Sequence, residues 1–364
     1  MEQLLHRSPG GIGRYAAQLA TIMPRLYPAD EVLPFVARHS LPQVAAAMEA
    51  AGMPGLEPIV LPWPRQVLYE AWVRYGQPRL SLGAKELAEI DLVHAPSLAV
   101  PPRGRMPLVV SAHDAAAELF PQAFTKRGRE FHRRGLAAAA ARADLVLTGT
   151  QAAADEITSL SAVRPEQVRV TPYGVEPGVA VPTPRLPGGR YVLWVGSSEP
   201  RKGLHTLLTA MAALRAKGAG ADLVLAGYTG WGEDSVDPAV RSALGDSLVT
   251  LGVVTEGELW ALYAGATLFA FPSLHEGFGL PVLEAMSQGV PVVCSDLPAL
   301  REVGGEACVR FLAGDAAALA EAIGALLADP TEAGVVGERG RKRSRAFSAE
   351  AAMRGVRAAY AEVL

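Results

Sequence analysis

Two carboxylates, Glu276 and Glu284, flank a glycine-rich turn in His275-Glu276-Gly277-Phe278-Gly279-Leu280-Pro281-Val282-Leu283-Glu284-Ala285. Pro281 suits the first turn of a helix, which puts Glu276 in the loop before it and Glu284 on the helix. Gly277 and Gly279 let the backbone come close to a ligand, and free N–H groups at a new helix start favour an anion such as a diphosphate. A loop carboxylate there can accept hydrogen bonds from sugar hydroxyls, and one on the helix's first turn can reach a ribose. The plainer alternative is that Glu284 complements the helix dipole and the glycines make a tight turn.

A second anion signal is Gly196-Ser197-Ser198-Glu199-Pro200-Arg201-Lys202-Gly203, between an apolar run at 191–195 and a helical pattern at 204–215. Arg201 and Lys202 therefore stand at the carboxyl end of a strand, where open α/β sheets bind ligands. An Arg fork with a Lys point charge suits two phosphates and the charge that grows on them as a bond to a sugar breaks. A solvated basic face is the alternative. His113, followed by Asp114, ends another apolar run, and His94 ends a third. No nucleophile elbow or ordered Ser-His-acid set accompanies them, so hydrolase chemistry fits poorly.

The elements that must position these residues alternate between short β-branched or Leu-rich runs and Ala-rich stretches of helical period, the pattern of parallel strands with crossover helices. Strands are predicted at 32–36, 58–61, 92–94, 108–112, 145–148 and 168–171, with helices at 12–26, 42–51, 65–75, 126–141 and 151–160. Pro and Gly interrupt 173–190, and strands resume at 191–195, 223–226, 249–252, 268–271 and 291–294. The expected organisation is an N-terminal Rossmann-like domain over 1–180, a second over 188–347 and a C-terminal helix over 348–364 returning to the first.

At 364 residues and 50% hydrophobic content the chain can bury a core in each half, and a net charge of −3 gives no global attraction to nucleic acid. The two cysteines, Cys294 and Cys308, form neither a disulfide framework nor a metal-ligand spacing, so a reducing cytoplasm is expected. Neither a secretory signal nor a membrane-spanning run is read in the sequence, which leaves peripheral contact with the inner membrane face as the expected limit of membrane association. The segment from Lys126 to Arg134 carries five bases and one acid; it is a solvated helix face or a patch for anionic lipid or a lipid-linked acceptor.

In this combination the chain resembles the glycosyltransferase family 4 enzymes, whose signature is a Glu, seven residues, then a Glu. The resemblance also takes in Gly10-Gly11-Ile12-Gly13-Arg14-Tyr15, His113-Asp114, Pro172-Tyr173-Gly174-Val175, Glu199-Pro200-Arg201-Lys202-Gly203 and Phe271-Pro272-Ser273. It is nearest the mannosyltransferase-like branch acting on bacterial polysaccharides. It implies a GT-B fold, two Rossmann-like domains facing across a cleft, and retaining transfer of a hexosyl unit from a nucleotide sugar to a glycan or lipid-linked acceptor, with no metal or other cofactor. Residue by residue, it implies that Glu276 holds sugar hydroxyls and that Phe278, Gly279 and Leu280 touch sugar and diphosphate. Glu284 would bind ribose, Arg201 and Lys202 the phosphates, and Val253 and Val254 the base. Gly11 and Gly13 would approach the diphosphate and His113 would lie over the sugar, with His94 and Asp114 on the acceptor side. Trp231 would border the base pocket. GDP-mannose and UDP-sugars both remain open as donors.

Two departures accompany the resemblance. Only Gln3-Leu4-Leu5 precedes the glycines where relatives have a full strand, so the first strand is expected short or absent, and a start placed too far downstream is the expected reason. Ser197 stands where many relatives have Arg, throwing more of the phosphate's neutralisation onto Arg201 and Lys202. Two other readings stay open: a non-catalytic nucleotide-sugar-binding protein of the same fold, and an NAD-dependent oxidoreductase using Gly11-Ile12-Gly13. The latter fails on context, because Asp30 and Glu31 precede the next strand where the fingerprint needs an acid at its end.

Overall fold

A computed structural model describes residues 1–6, 10–80, 90–181, 188–197, 199–218, 220–227 and 237–364. They divide into two units, Met1–Gly174 with Ala349–Leu364, and Val175–Ser348.

In the first unit the chain runs α1 (Gly10–Leu26), β1 (Phe35–Val36), α2 (Leu41–Ala50), β2 (Ile59–Val60), α3 (Arg65–Tyr75), β3 (Val93–Ala95), β4 (Leu108–Ser111), α4 (Ala116–Leu119), α5 (Lys126–Arg142), β5 (Leu145–Thr148), α6 (Gln151–Leu160) and β6 (Val168–Val170). Strands β3-β4-β5-β6 make a parallel sheet in that order. Both faces of β4 and β5 are buried, which is why these strands read as unbroken apolar runs rather than alternating ones. β1 and β2 pair separately. The strand expected at 32–36 shrinks to Phe35–Val36 because Pro34 has no N–H for the ladder, although its carbonyl takes the Ile59 N–H at 2.8 Å.

Among the described residues ahead of the glycines, Glu2–Leu5 form a 3-10 turn and none is in a strand. Leu4 is buried among Val36, Val44 and Met48, while the Glu2 carboxylate accepts the Ala37 N–H at 3.0 Å and lies 2.6 Å from His39 Nε2. A side chain thus caps a backbone donor beside β1.

The second unit holds β7 (Tyr191–Val195), α7 (Leu204–Ala216), β8 (Asp222–Ala226), α8 (Pro238–Leu244), β9 (Leu248–Gly252), α9 (Glu256–Gly265), β10 (Leu268–Phe271), α10 (Leu280–Ser287), β11 (Val292–Ser295), α11 (Pro298–Gly304), β12 (Val309–Phe311), α12 (Ala316–Ala328) and α13 (Pro330–Ser344). Its parallel sheet has the order β12-β11-β10-β7-β8-β9. Chain order therefore reverses between β10 and β7, the switch point at which such sheets open a crevice at their carboxyl ends. One face is sealed by Leu207, Leu208, Leu214, Leu319 and Ile323 against Val192, Leu223 and Leu225.

The first unit closes at Gly174 rather than 180, because Val175 donates its N–H to the Phe347 carbonyl at 2.9 Å and bridges in parallel to Ser348. The last helix, α14 (Ala349–Tyr360), belongs to the first unit and packs on α1, with Arg357 paired to Asp30 at 2.5 Å and Arg169 to Glu362 at 2.8 Å. Among the described residues no helix is long and apolar enough to cross a membrane.

Candidate functional site

The loops that carry the two anion signals follow β7 and β10, the strands on either side of the switch point. They are laced together. The Leu274 N–H donates to the Arg201 carbonyl at 2.7 Å, and Arg201 Nη1 donates to the His275 carbonyl at 3.0 Å. Gly203 has φ +65°, and a Cβ there would collide with the Pro272 carbonyl oxygen, so only glycine lets the loops meet.

Within this clamp Lys202 Nζ lies 2.7 Å from Glu276 Oε1, with the two side chains 14% and 8% exposed. Arg201 Nη2 pairs with Glu199 Oε1 at 2.8 Å, and its Nη1 stands 3.8 Å from Glu276 Oε2. Burial pushes the Glu276 pKa up, but Lys202 and then Arg201 outweigh it and hold the carboxyl below its ordinary range. Removing one partner of such a pair strands a buried charge at a cost of about 3–5 kcal/mol. A bound anion could take the place of the carboxylate beside Lys202, and a sugar hydroxyl could take the freed carboxylate oxygen. Arg201 is more heavily committed, since its guanidinium already joins the two loops.

Gly279, with φ +100°, caps α10, and a Cβ on it would collide with Leu300. The Val282 and Leu283 N–H groups turn to the Gly279 carbonyl and Pro281 has none, while those of Gly279 and Leu280 meet no protein acceptor among the described residues. Phe278 is buried, packed edge-on to Phe347 at 6.1 Å between centroids. Because α10 starts only at Leu280, Glu284 lies beyond the first turn expected for it. Its buried carboxylate accepts a hydrogen bond from the Tyr263 hydroxyl of α9 at 2.8 Å. Val253, exposed, and Val254, half-buried, follow the turn at Gly252, just before Thr255 caps α9 with a capping box to Glu258. Ser198 and Trp231 lie outside the described residues.

The residues singled out in the first unit sit in a different kind of centre. Gly11 and Gly13 are in the first turn of α1 and not in a loop, and among the described residues no strand precedes them. The dinucleotide fingerprint loses its strand for the same reason. His113 Nε2 is 3.0 Å from the Pro96 carbonyl and Nδ1 2.6 Å from the Tyr173 hydroxyl. A carbonyl only accepts, so Nε2 carries the proton and Nδ1 accepts from Tyr173; burial lowers the pKa of this neutral ring. Asp114 accepts the Ala116 N–H at 3.0 Å just ahead of α4.

His94 lies between the Tyr360 hydroxyl, 2.6 Å from Nδ1, and Ser111 Oγ, 2.8 Å from Nε2. Ser111 donates onward to the Tyr15 hydroxyl at 3.1 Å, so its Oγ accepts from Nε2–H and Nδ1 accepts from Tyr360. Burial pulls the His94 pKa down to about 3. Tyr15 packs against the rings of His94, His113 and Tyr173. With both nitrogens of both histidines occupied, this centre fixes geometry and does not exchange protons near neutrality.

Sequence reasoning did not assign roles to Glu199, Tyr263 and Tyr360. Glu199 carried the available signal, an acid two positions before Arg201 at a strand end; the two tyrosines, each reaching a partner far away in sequence, carried none.

The family described as Glycosyltransferase Family 4 matches residues 9–179, and that described as Glycosyl transferases group 1 matches 189–329. An Escherichia coli protein named O-antigen chain mannosyltransferase B is 29% identical over 358 residues, 93% of each chain. The MMP alpha-(1->4)-mannosyltransferase of Mycolicibacterium hassiacum is 35% identical over 204 residues, 55% of this chain and 49% of that one. Among solved structures, sucrose-phosphate synthase from Thermosynechococcus elongatus superposes with a TM-score of 0.70 at 23% identity, covering 97% of this chain and 93% of that one. Anabaena Alr3699/HepE in complex with UDP and glucose does so at 0.70 and 20%, covering 98% and 97%. With family matches on both halves, a full-length relative and the switch-point loops where the fold needs them, the chain belongs to glycosyltransferase family 4 and is a glycosyltransferase of GT-B fold.

Proposed function

We propose that this glycosyltransferase moves a mannosyl unit, with retention of configuration, from a nucleoside-diphosphate sugar to a glycan or lipid-linked acceptor in bacterial polysaccharide synthesis. The observation that carries the reading is the buried Lys202–Glu276 pair at the switch point. Diphosphate takes the Lys202 ammonium and the free N–H groups of Gly279 and Leu280; the sugar hydroxyls take Glu276. Arg201 adds positive charge from its place between the loops, and Glu284, steadied by Tyr263, receives the ribose. Val254 offers backbone groups to the base. Gly11, Gly13 and His113 serve the donor from the first unit, with His94 and Asp114 supporting the acceptor side.

The bond from the sugar's anomeric carbon to the phosphate oxygen breaks with its electron pair on phosphate, and the acceptor oxygen bonds to that carbon on the same face. The acceptor's proton passes to the departing phosphate. Lys202 and the start of α10 stabilise the growing negative charge, the work a metal ion would otherwise do. The mannosyl assignment draws on the named mannosyltransferases among the relatives.

The test is transfer by the full chain from GDP-mannose and from UDP-glucose, in the presence of a chelator, to mannose-rich oligosaccharide. Retained α-linked product from GDP-mannose, lost in Glu276→Ala, is the expected result. Inverted product, or transfer that survives Glu276→Ala undiminished, would overturn the reading.

A further inference from the structure

Helix α3 buries one face and leaves a second apolar edge uncovered. Leu68, Trp72 and Val73 face the core, yet Val67 and Tyr75 are 53% and 73% exposed, and Trp63, one turn ahead, is 47% exposed. Val67, Ala71 and Tyr75 recur at the four-residue spacing of a single helix face, so the exposure is a stripe rather than scattered residues. A hollow of about 440 Å³ opens along it, lined by Val67, Glu70, Ala71, Arg74, Tyr75 and Arg127.

The hollow's charge is arranged and positive. Glu70 takes Arg74 Nε at 2.9 Å on one oxygen and Arg127 Nε at 3.2 Å on the other. One carboxylate thereby holds two guanidinium forks at the rim, and among the described residues their Nη groups have no acceptor. Arg127 is the second residue of α5, whose first turn holds Lys126, Arg127 and Arg129 without an acid. These three are exposed, as is Arg133, whose partner Glu130 is the segment's sole carboxylate. Like charges crowded this way repel, and an anionic surface opposite them relieves the repulsion.

We infer that the α3–α5 face docks the enzyme on an anionic phospholipid bilayer, with Trp63, Val67 and Tyr75 entering the headgroup boundary and Arg74, Arg127 and Arg129 meeting lipid phosphates. Apolar side chains beside exposed arginines are the arrangement by which a helix lies in a membrane interface, and neither part suffices alone. The inference deepens the reading of a lipid-linked acceptor, for which a membrane-held enzyme meets its substrate in two dimensions. None of these residues belongs to the sugar-transfer machinery.

The test is co-sedimentation of the full chain with phosphatidylcholine vesicles, with and without phosphatidylglycerol, at low and high salt. Binding is expected only to the phosphatidylglycerol vesicles and is expected to fall with salt. Arg127→Glu with Arg129→Glu should weaken it at least about tenfold, and Tyr75→Ser with Val67→Ser should weaken it without changing its salt dependence. Thermal melts check that both variants fold, and transfer to a soluble glycan, expected unchanged in both, reports on the functional reading separately. Equal binding to both vesicle types, no binding at low salt, or full binding by both folded variants would overturn the inference. So would a vesicle-free dimer dissolved by the Tyr75 variant, which would assign the face to a second copy of the chain.

Discussion

In Val175–Ser348 two largely buried ion pairs stand at the sheet's carboxyl end, Lys202 on Glu276 at 2.7 Å and Arg201 on Glu199 at 2.8 Å. In the first unit the corresponding strand ends carry neutral rings and hydroxyls, with Tyr360, His94, Ser111 and Tyr15 in one chain and Tyr173 with His113 in another. The difference teaches what each can exchange. A buried ion pair is costly to form, and a charged ligand can replace one member with little further desolvation. A neutral network offers no charge to trade, and its worth lies in holding side chains in one arrangement. The ionic centre therefore suits a diphosphate, and the neutral one suits the positioning of groups around a sugar.

The largest expected effect breaks the ionic side. Glu276→Gln removes the charge that holds Lys202 but keeps the shape, so transfer should fall roughly 10²–10³-fold while bare nucleoside diphosphate binds more tightly than to the parent chain. Steady-state rates and calorimetry read the two opposite signs. Equal losses in both would mean that Glu276 and the diphosphate do not compete for Lys202.

A smaller effect sharpens the neutral side. Tyr173→Phe deletes the donor to His113 Nδ1 and leaves a buried acceptor unsatisfied, which should cost about 1–3 kcal/mol of stability by denaturant titration. Turnover should fall with little change in nucleoside diphosphate affinity. A variant as stable as the parent would show that the hydroxyl does not hold the ring.

The smallest effect is in pH. His94 is neutral when folded down to about pH 3, whereas unfolded it takes a proton near its ordinary value of 6.5. Stability is complete above that value and declines as pH falls, because the unfolded chain binds the extra proton. Readings between pH 6.5 and 5.5 lie above the ordinary carboxyl value of Glu276, 4.5, so that group stays largely ionised in both states. Over that interval the buried, lowered His113 contributes in the same direction, so His94→Gln should shrink the decline in melting temperature and not abolish it. An unchanged decline would remove His94 from the account.

Much of this was legible in sequence because it is local. The strands at 145–148 and 268–271 appear where their apolar runs predict them, and both phosphate-type loops follow the expected strands. Glycine at 203 and 279 serves a positive φ and a close approach, which composition around a turn can announce. What escaped is long-range. Tyr360 meets His94 across 266 positions, and Tyr263 meets Glu284 from a neighbouring helix, so neither contact leaves a local pattern. Ahead of the glycines the sequence offers only Gln3-Leu4-Leu5, too little for a full strand, and a 3-10 turn with Glu2 and Leu4 buried stands there, while the helix expected from residue 12 begins at Gly10.

The central claim is that a nucleoside diphosphate is gripped in the second unit by Lys202 at the switch point. Calorimetric titration of GDP and UDP into the parent chain and Lys202→Ala, each confirmed folded by its melt, tests it most directly. The expected result is binding by the parent and at least about a tenfold loss in the variant, the weight of one buried charge-assisted contact. Equal affinity in the two proteins would contradict it.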